Sequence, residues 1–234
     1  MPDPRPQGDS NRQGTARPLA PERLRLYVVT DRGLSRGRSE VEVVREALAG
    51  GATAIQLRGK ELSGRELYEV GLDLRQATRQ AGALLFVDDR LDVALAIGAD
   101  GVHLGQEDLP LADARRLAGS ELLIGITAET VEQAVEAERG GADYLGTRAV
   151  FATPTKAYRE PIGIELLAEM VRAVSIPVVA IGGIKASNAR EVLATGVSGL
   201  AVVSAVVAAE DVRAAAAELE EIVAAERRWV GGAG

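Results

Sequence analysis

DDRLDVALAIGADGVHLGQEDLP, residues 88–110, holds one full structural period of the chain. Two acids open it. Leu91–Ile97 then carries apolar residues at the i, i+3 and i+4 spacing of one helix face. Gly98 follows, a residue suited to a left-handed helix cap, and small residues lead on. GVHLG (101–105) is a short apolar run, and polar groups close the stretch. The order is strand end, helix, glycine junction, strand, polar strand end.

The same period extends in both directions. Apolar, β-branched runs occur at RLYVVT (25–30), TAIQLR (53–58), ALLFVD (83–88), GVHLG (101–105), LLIGIT (122–127), YLGTRAV (144–150), PVVAIGG (177–183) and GLAVVSA (199–205). They are continuous rather than alternating, as expected of parallel strands covered on both faces. Helical patterns lie between them, at 40–49, 64–80, 91–97, 111–117, 130–139, 164–173 and 187–194, with a long last helix at 206–228. Four junctions share a small phrase: GGAT (50–53), IGAD (97–100), GGAD (140–143) and TGVS (195–198). Eight such units predict an α/β fold, a (β/α)8 TIM barrel in a single domain, with a doubly wound open sheet as the alternative. Residues 23–228 are the expected barrel. Residues 1–22, rich in Pro, Gly, Arg and Gln, read as a disordered tail, and 229–234 as a flexible C-terminus.

Composition narrows the function. The chain has 234 residues, a net charge of −7, one histidine and no cysteine. An acidic balance argues against nucleic-acid and anionic-membrane partners. No run of about 18 apolar residues exists to span a membrane. The N-terminal stretch has no apolar core of a secretory signal. Disulfides and thiolate metal sites are excluded. A cytoplasmic location is expected, and a homo-oligomer is left open.

Polar residues follow the C-terminal end of most runs: QLRGK after the second, DDR after the third, HLGQED after the fourth, Thr127 after the fifth, GG after the seventh and Ser204 after the eighth. In a barrel those ends form one face. Asp88, Asp89 and Asp108 then fall on neighbouring strand ends, about 5 Å apart. Carboxylates that close repel unless protonated or bridged by a cation, and an all-oxygen donor set favours Mg2+. Helix capping is the competing explanation for these acids. Arg58 and Lys60 point to one side by alternation, and Lys156 lies in an aperiodic stretch from Thr147 to Gly163. Cations beside acids suggest a diphosphate clamp, with a solvated surface as the alternative. IGGI (181–184) and VVSA (202–205) end the last two strands, where barrels often bind phosphate. His103, within an apolar run, reads as a supporting residue rather than a general base. Glu107 has no assigned role.

QLRGK, DDRLDVALAIGADGVHLGQEDLP, VFATPTK, IPVVAIGGI and GLAVVSAV together resemble the thiamine-phosphate synthase family, in order and spacing. The resemblance implies a transferase that couples a hydroxymethylpyrimidine diphosphate with a thiazole phosphate or its 2-carboxylate. The products are thiamine phosphate, diphosphate and, from the carboxylate, CO2. It implies phosphorylated small-molecule substrates and Mg2+. Gln56, Leu57, Arg58, Gly59, Lys60, Asp88, Thr127 and Lys156 match the pyrimidine diphosphate site. Arg58, Lys60, Thr127 and Lys156 are the expected catalytic groups. Thr153, Pro154, Thr155, Gly183, Val203 and Ser204 match the thiazole phosphate site, and Asp89 and Asp108 the metal ligands. The implied reaction passes through a pyrimidine-methyl cation, which closure of the 147–163 loop would shield from water.

Three positions depart from the family pattern. Asp88 stands in place of Asn, Arg148-Ala149 in place of Gly-Pro, and Thr127 in place of Ser, keeping the hydroxyl. One expectation is that Arg148 offsets the charge of Asp88, which a double-mutant cycle would test. A thiazole tautomerase and a non-catalytic phosphate-binding barrel are the rival functions.

Overall fold

A computed structural model describes residues 19–152 and 160–231. Each apolar run becomes a parallel strand: β1 (Leu26–Val29), β2 (Ala54–Leu57), β3 (Leu84–Asp88), β4 (Gly101–Leu104), β5 (Leu123–Ala128), β6 (Tyr144–Ala149), β7 (Val178–Ile181) and β8 (Gly199–Val202). The strands run in sequence order, and β8 pairs back to β1, Val28 beside Val202. That closure excludes the open sheet and establishes the (β/α)8 barrel.

The intervening segments form α1 (Glu40–Ala49), α2 (Gly64–Ala81), α3 (Leu91–Ile97), α4 (Leu111–Ala118), α5 (Val131–Arg139), α6 (Gly163–Ala173), α7 (Ala186–Leu193), α8 (Ser204–Val207) and α9 (Val212–Gly231). Ser39 and Ser63 cap α1 and α2, each in a reciprocal box with the Glu three residues on. The single helix expected over 206–228 is instead two. Arg38 donates to the carbonyls of Val207 and Ala209, which ends α8, and the Asp211 carboxylate accepts from Ala214 N–H to begin α9. Ahead of β1, Pro21–Leu24 makes a 3-10 turn whose Leu24 is buried under the barrel, with Leu19 packed alongside. No described helix is long and apolar enough to cross a membrane.

Side chains alternate in and out along each strand. The outward set, including Leu57, Leu85, Val102 and Ile124, packs against the helices in the larger core. The inward set forms a smaller plug of Tyr27, Val29, Leu84, Phe86, Tyr144 and neighbours. Its rings interlock, Tyr27 with Phe86 at 5.3 Å and Phe86 with Tyr144 at 5.1 Å between centroids. Facing glycines make the room: a Cβ on Gly101 would strike Phe86, and one on Gly125 would strike Tyr144.

The repeated junction phrase has a structural job at the N-terminal ends of the strands. In three of the four phrases the last residue accepts a backbone N–H from the neighbouring strand. Thr53 does so for Leu26, Asp100 for Leu85 and Asp143 for Ile124. Arg75 and Arg115 reach down from α2 and α4 to pair with those two aspartates, Arg75 at 2.5 Å and Arg115 at 2.6 Å. The opposite ends of the strands are left for polar groups of another kind.

Candidate active site

Above the ring plug lies a cavity of ≈ 610 Å³, open at the C-terminal ends of the strands. Polar groups from seven strand ends converge on it, from Asp31 after β1 round to Ser204 after β8. Barrel interiors are filled by side chains, so the site has to sit in this mouth.

At the end of β2, alternation sends Gln56 inward, Leu57 outward and Arg58 inward again. Gln56 donates from Nε2 to Asp88 Oδ1 at 3.0 Å, across the β2–β3 seam. Arg58 lies between two acids, 3.1 Å from Asp31 and 3.6 Å from Asp88. Lys60 approaches Asp89 at 3.8 Å. Leu57 departs from its expected place. Its side chain is fully buried against the helices, and it is not among the residues that line the cavity. Gly59 fits tightly over Leu62, which a Cβ would meet at 2.6 Å.

The acids are not helix caps. Neither α3 nor α4 has a side-chain cap at its N-terminus. Asp89 instead occupies a left-handed conformation, φ 60°, held by its N–H to the His103 carbonyl at 2.9 Å. Aspartate tolerates that region better than most residues. Asp108 closes a turn by accepting from Gly105 N–H at 2.7 Å. Burial pushes the Asp88 carboxyl up to about 7, with the charge of Asp89 adding and Arg58 and Lys60 opposing. Asp89 is raised too, first by burial, then by a hydrogen bond with Asp108 and its repulsion. Two carboxyls that crowd each other, Asp89 and Asp108, offer a pair of hard oxygen donors whose repulsion a divalent cation would relieve. Among the described residues no cluster of three or more metal-binding side chains forms. The protein's share suits Mg2+, which usually keeps waters and substrate oxygens for its other positions.

Deeper in, Thr127 on β5 faces His103 on β4, Oγ1 to Nε2 at 2.9 Å. The other ring nitrogen, Nδ1, lies 3.0 Å from the Tyr144 hydroxyl. His103 thus lines the cavity rather than the helix-facing core. Gly146 permits this, since a Cβ there would meet His103 at 2.7 Å. Arg148 makes no ion pair with Asp88. Its ion pair is with Glu129 at 3.4 Å, from the next strand's loop. Strand order accounts for the difference: β6 neighbours β5 and β7, whereas Asp88 on β3 is served by Arg58 on β2.

The far side of the cavity is lined by Gly182, Gly183, Val203 and Ser204. Gly182 has φ 95°, and a Cβ on Gly183 would meet Phe151 at 2.7 Å. Thr153, Pro154, Thr155 and Lys156 lie outside the described residues. Sequence reasoning missed Asp31, Glu129, Tyr27 and Tyr144. Asp31 was visible as a polar residue just past an apolar run. The tyrosines sit inside apolar runs and read as core.

A family model described as thiamine monophosphate synthase matches residues 26–206. The chain belongs to that family. A thiamine-phosphate synthase from Pyrococcus furiosus is 58% identical over 201 residues, 86% of this chain and 95% of that protein. One from Chloroflexus aurantiacus is 55% identical over 200 residues, covering 85% and 92%. The solved thiamine phosphate pyrophosphorylase from Pyrococcus furiosus superposes with a TM-score of 0.82 at 56% identity, covering 88% of this chain and 98% of that one. A 3-hexulose-6-phosphate synthase, 21% identical with a TM-score of 0.67, covers 85% and 99% and shares the fold alone. Family membership makes the chain an enzyme, a transferase of the thiamine-phosphate synthase type.

Proposed function

We propose that this enzyme couples 4-amino-2-methyl-5-hydroxymethylpyrimidine diphosphate with a thiazole ethyl phosphate, or its 2-carboxylate, to give thiamine phosphate and diphosphate. The carboxylate form also loses CO2. The observation that carries the reading is the juxtaposition of Asp89 and Asp108 with Arg58 and Lys60 at one rim of the cavity, opposite a separate glycine-lined wall. A tautomerase or a plain phosphate-binding barrel has no use for that crowded acid–base rim.

The reaction breaks the bond between the pyrimidine methylene carbon and the diphosphate oxygen. The thiazole nitrogen then bonds to that carbon. Arg58 and Lys60 bind the diphosphate and neutralise the charge that grows as it leaves. Lys156 adds a third cation. Gln56, Gly59 and the backbone of Leu57 hold the pyrimidine side, together with Asp88 and Thr127. Gly183, Val203 and Ser204, with Thr153, Pro154 and Thr155, take the thiazole phosphate. Asp89 and Asp108 would hold Mg2+, which when bound supplies further charge neutralisation at the leaving diphosphate. No strong general base is needed, which agrees with a histidine tied at both ring nitrogens.

The test is direct. Purified protein is mixed with both substrates, with and without Mg2+, and thiamine phosphate and diphosphate are followed. Equal amounts of both products, dependent on Mg2+, are expected. Absence of product under all conditions would sink the reading.

A further inference from the structure

Beneath the reacting groups, four side chains make a continuous hydrogen-bonded column across the barrel. Tyr27 and Tyr144 hydroxyls are 2.9 Å apart, Tyr144 meets His103 Nδ1 at 3.0 Å, and His103 Nε2 meets Thr127 Oγ1 at 2.9 Å. Three strands beyond β5 supply it: β1, β6 and β4. Both tyrosines are buried, and burial raises both phenols, so each keeps its proton. A column of this kind has a direction, because each phenol has one proton to give.

One direction satisfies every member within the column itself. If His103 carried a proton on Nδ1, as the other tautomer or as imidazolium, Tyr144 would have to accept there and donate to Tyr27. The Tyr27 proton would then need a further acceptor. Tyr27 lies at the floor of the cavity but is only 2% exposed, and among the described residues its hydroxyl has Tyr144 alone as hydrogen-bond partner. A buried donor left unmade is costly. In the opposite sense Tyr27 donates to Tyr144, Tyr144 donates to Nδ1, and Nε2–H donates to Thr127. Nothing is left over except the Thr127 proton, and Thr127 lines the cavity.

We propose that Tyr27, Tyr144 and His103 form a directional positioning column that holds His103 as its Nε2–H tautomer and presents the Thr127 hydroxyl to the substrate as a donor. The substrate must therefore offer an acceptor, a ring nitrogen or diphosphate oxygen, at that point. In this arrangement His103 acts through Thr127. The substrate half rests on the function proposed above, whereas the column stands without it.

Its single histidine makes the protein its own reporter. Histidine-selective 15N labelling of the full chain gives one pair of ring signals with nothing to assign. At neutral pH a pyrrole-type Nε2 and a pyridine-type Nδ1 are expected. Tyr144→Phe removes the donor to Nδ1 and should shift the signals toward a tautomer mixture. Tyr27→Phe removes only the far end and should leave the tautomer intact. In the coupling assay Tyr144→Phe is expected to lower kcat/KM by about tenfold, the worth of one hydrogen bond. Thr127→Val should lose activity in the same assay. A protonated Nδ1 in the wild type overturns the proposal, as does a Tyr27→Phe spectrum that shifts as far as that of Tyr144→Phe. A wild-type enzyme that makes no thiamine phosphate removes the functional reading, while the ring signals still decide the column.

Discussion

Asp88 shows how one residue links site chemistry to stability. Its folded carboxyl titrates at about 7, far above the ordinary 3.8, chiefly because it is buried. Between those values the folded chain holds a proton that the unfolded chain has lost. Its contribution to folding is therefore present at low pH and is lost as pH rises through 7. Asp88→Asn removes that dependence. In metal-free buffer the variant should melt at nearly the wild-type temperature at pH 4, and above it at pH 8. A constant offset across that range would contradict burial of a titrating carboxyl as the cause. The amide still accepts from Gln56, so coupling activity should be unchanged or raised. A large loss would assign the carboxylate a positive role. Asp89→Ala, by contrast, removes half of the proposed cation site. Turnover should fall by about a hundredfold or more with the melting temperature held within a few degrees.

Among the elements, the strands were the most legible, because burial on both faces demands unbroken apolar runs and the chain supplies eight. Helix ends with a glycine stop were legible for the same local reason. The break between α8 and α9 was not. Its Ala-rich sequence has neither Gly nor Pro, and what ends α8 is Arg38, over 160 residues earlier in the chain. The glycines of the junction phrases mark helix stops. Thr53, Asp100 and Asp143, the fourth residues of three of them, also join neighbouring strands by accepting a backbone N–H. Asp143→Ala strips an acceptor from both Ile124 N–H and Arg115, at 2.7 and 2.6 Å. It should cost about 2 kcal/mol, seen as a fall of about 6 °C in melting temperature. The KM values should not move, because the lesion is at the far end of the barrel.

For the molecule as a whole, closure of the barrel turns eight separate strand ends into one rim, and this step made the acids and cations legible as a set. What the sequence could not supply was angular position around that rim. Arg148 was matched with Asp88 by charge alone, but barrel order seats it beside Glu129. Tyr144 looked like core because inside and outside of a barrel are both apolar below the rim. If Asp89 and Asp108 hold Mg2+, adding the ion should raise the wild-type melting temperature by mass action and leave Asp89→Ala unmoved. Equal shifts in both proteins would place the ion elsewhere. The ties at the strand starts carry a last consequence. Because Thr53, Asp100 and Asp143 fasten the barrel at one end, side chains at the other end can be exchanged without loosening those ties. Asp89→Ala is therefore expected to change the chemistry and leave the fold standing.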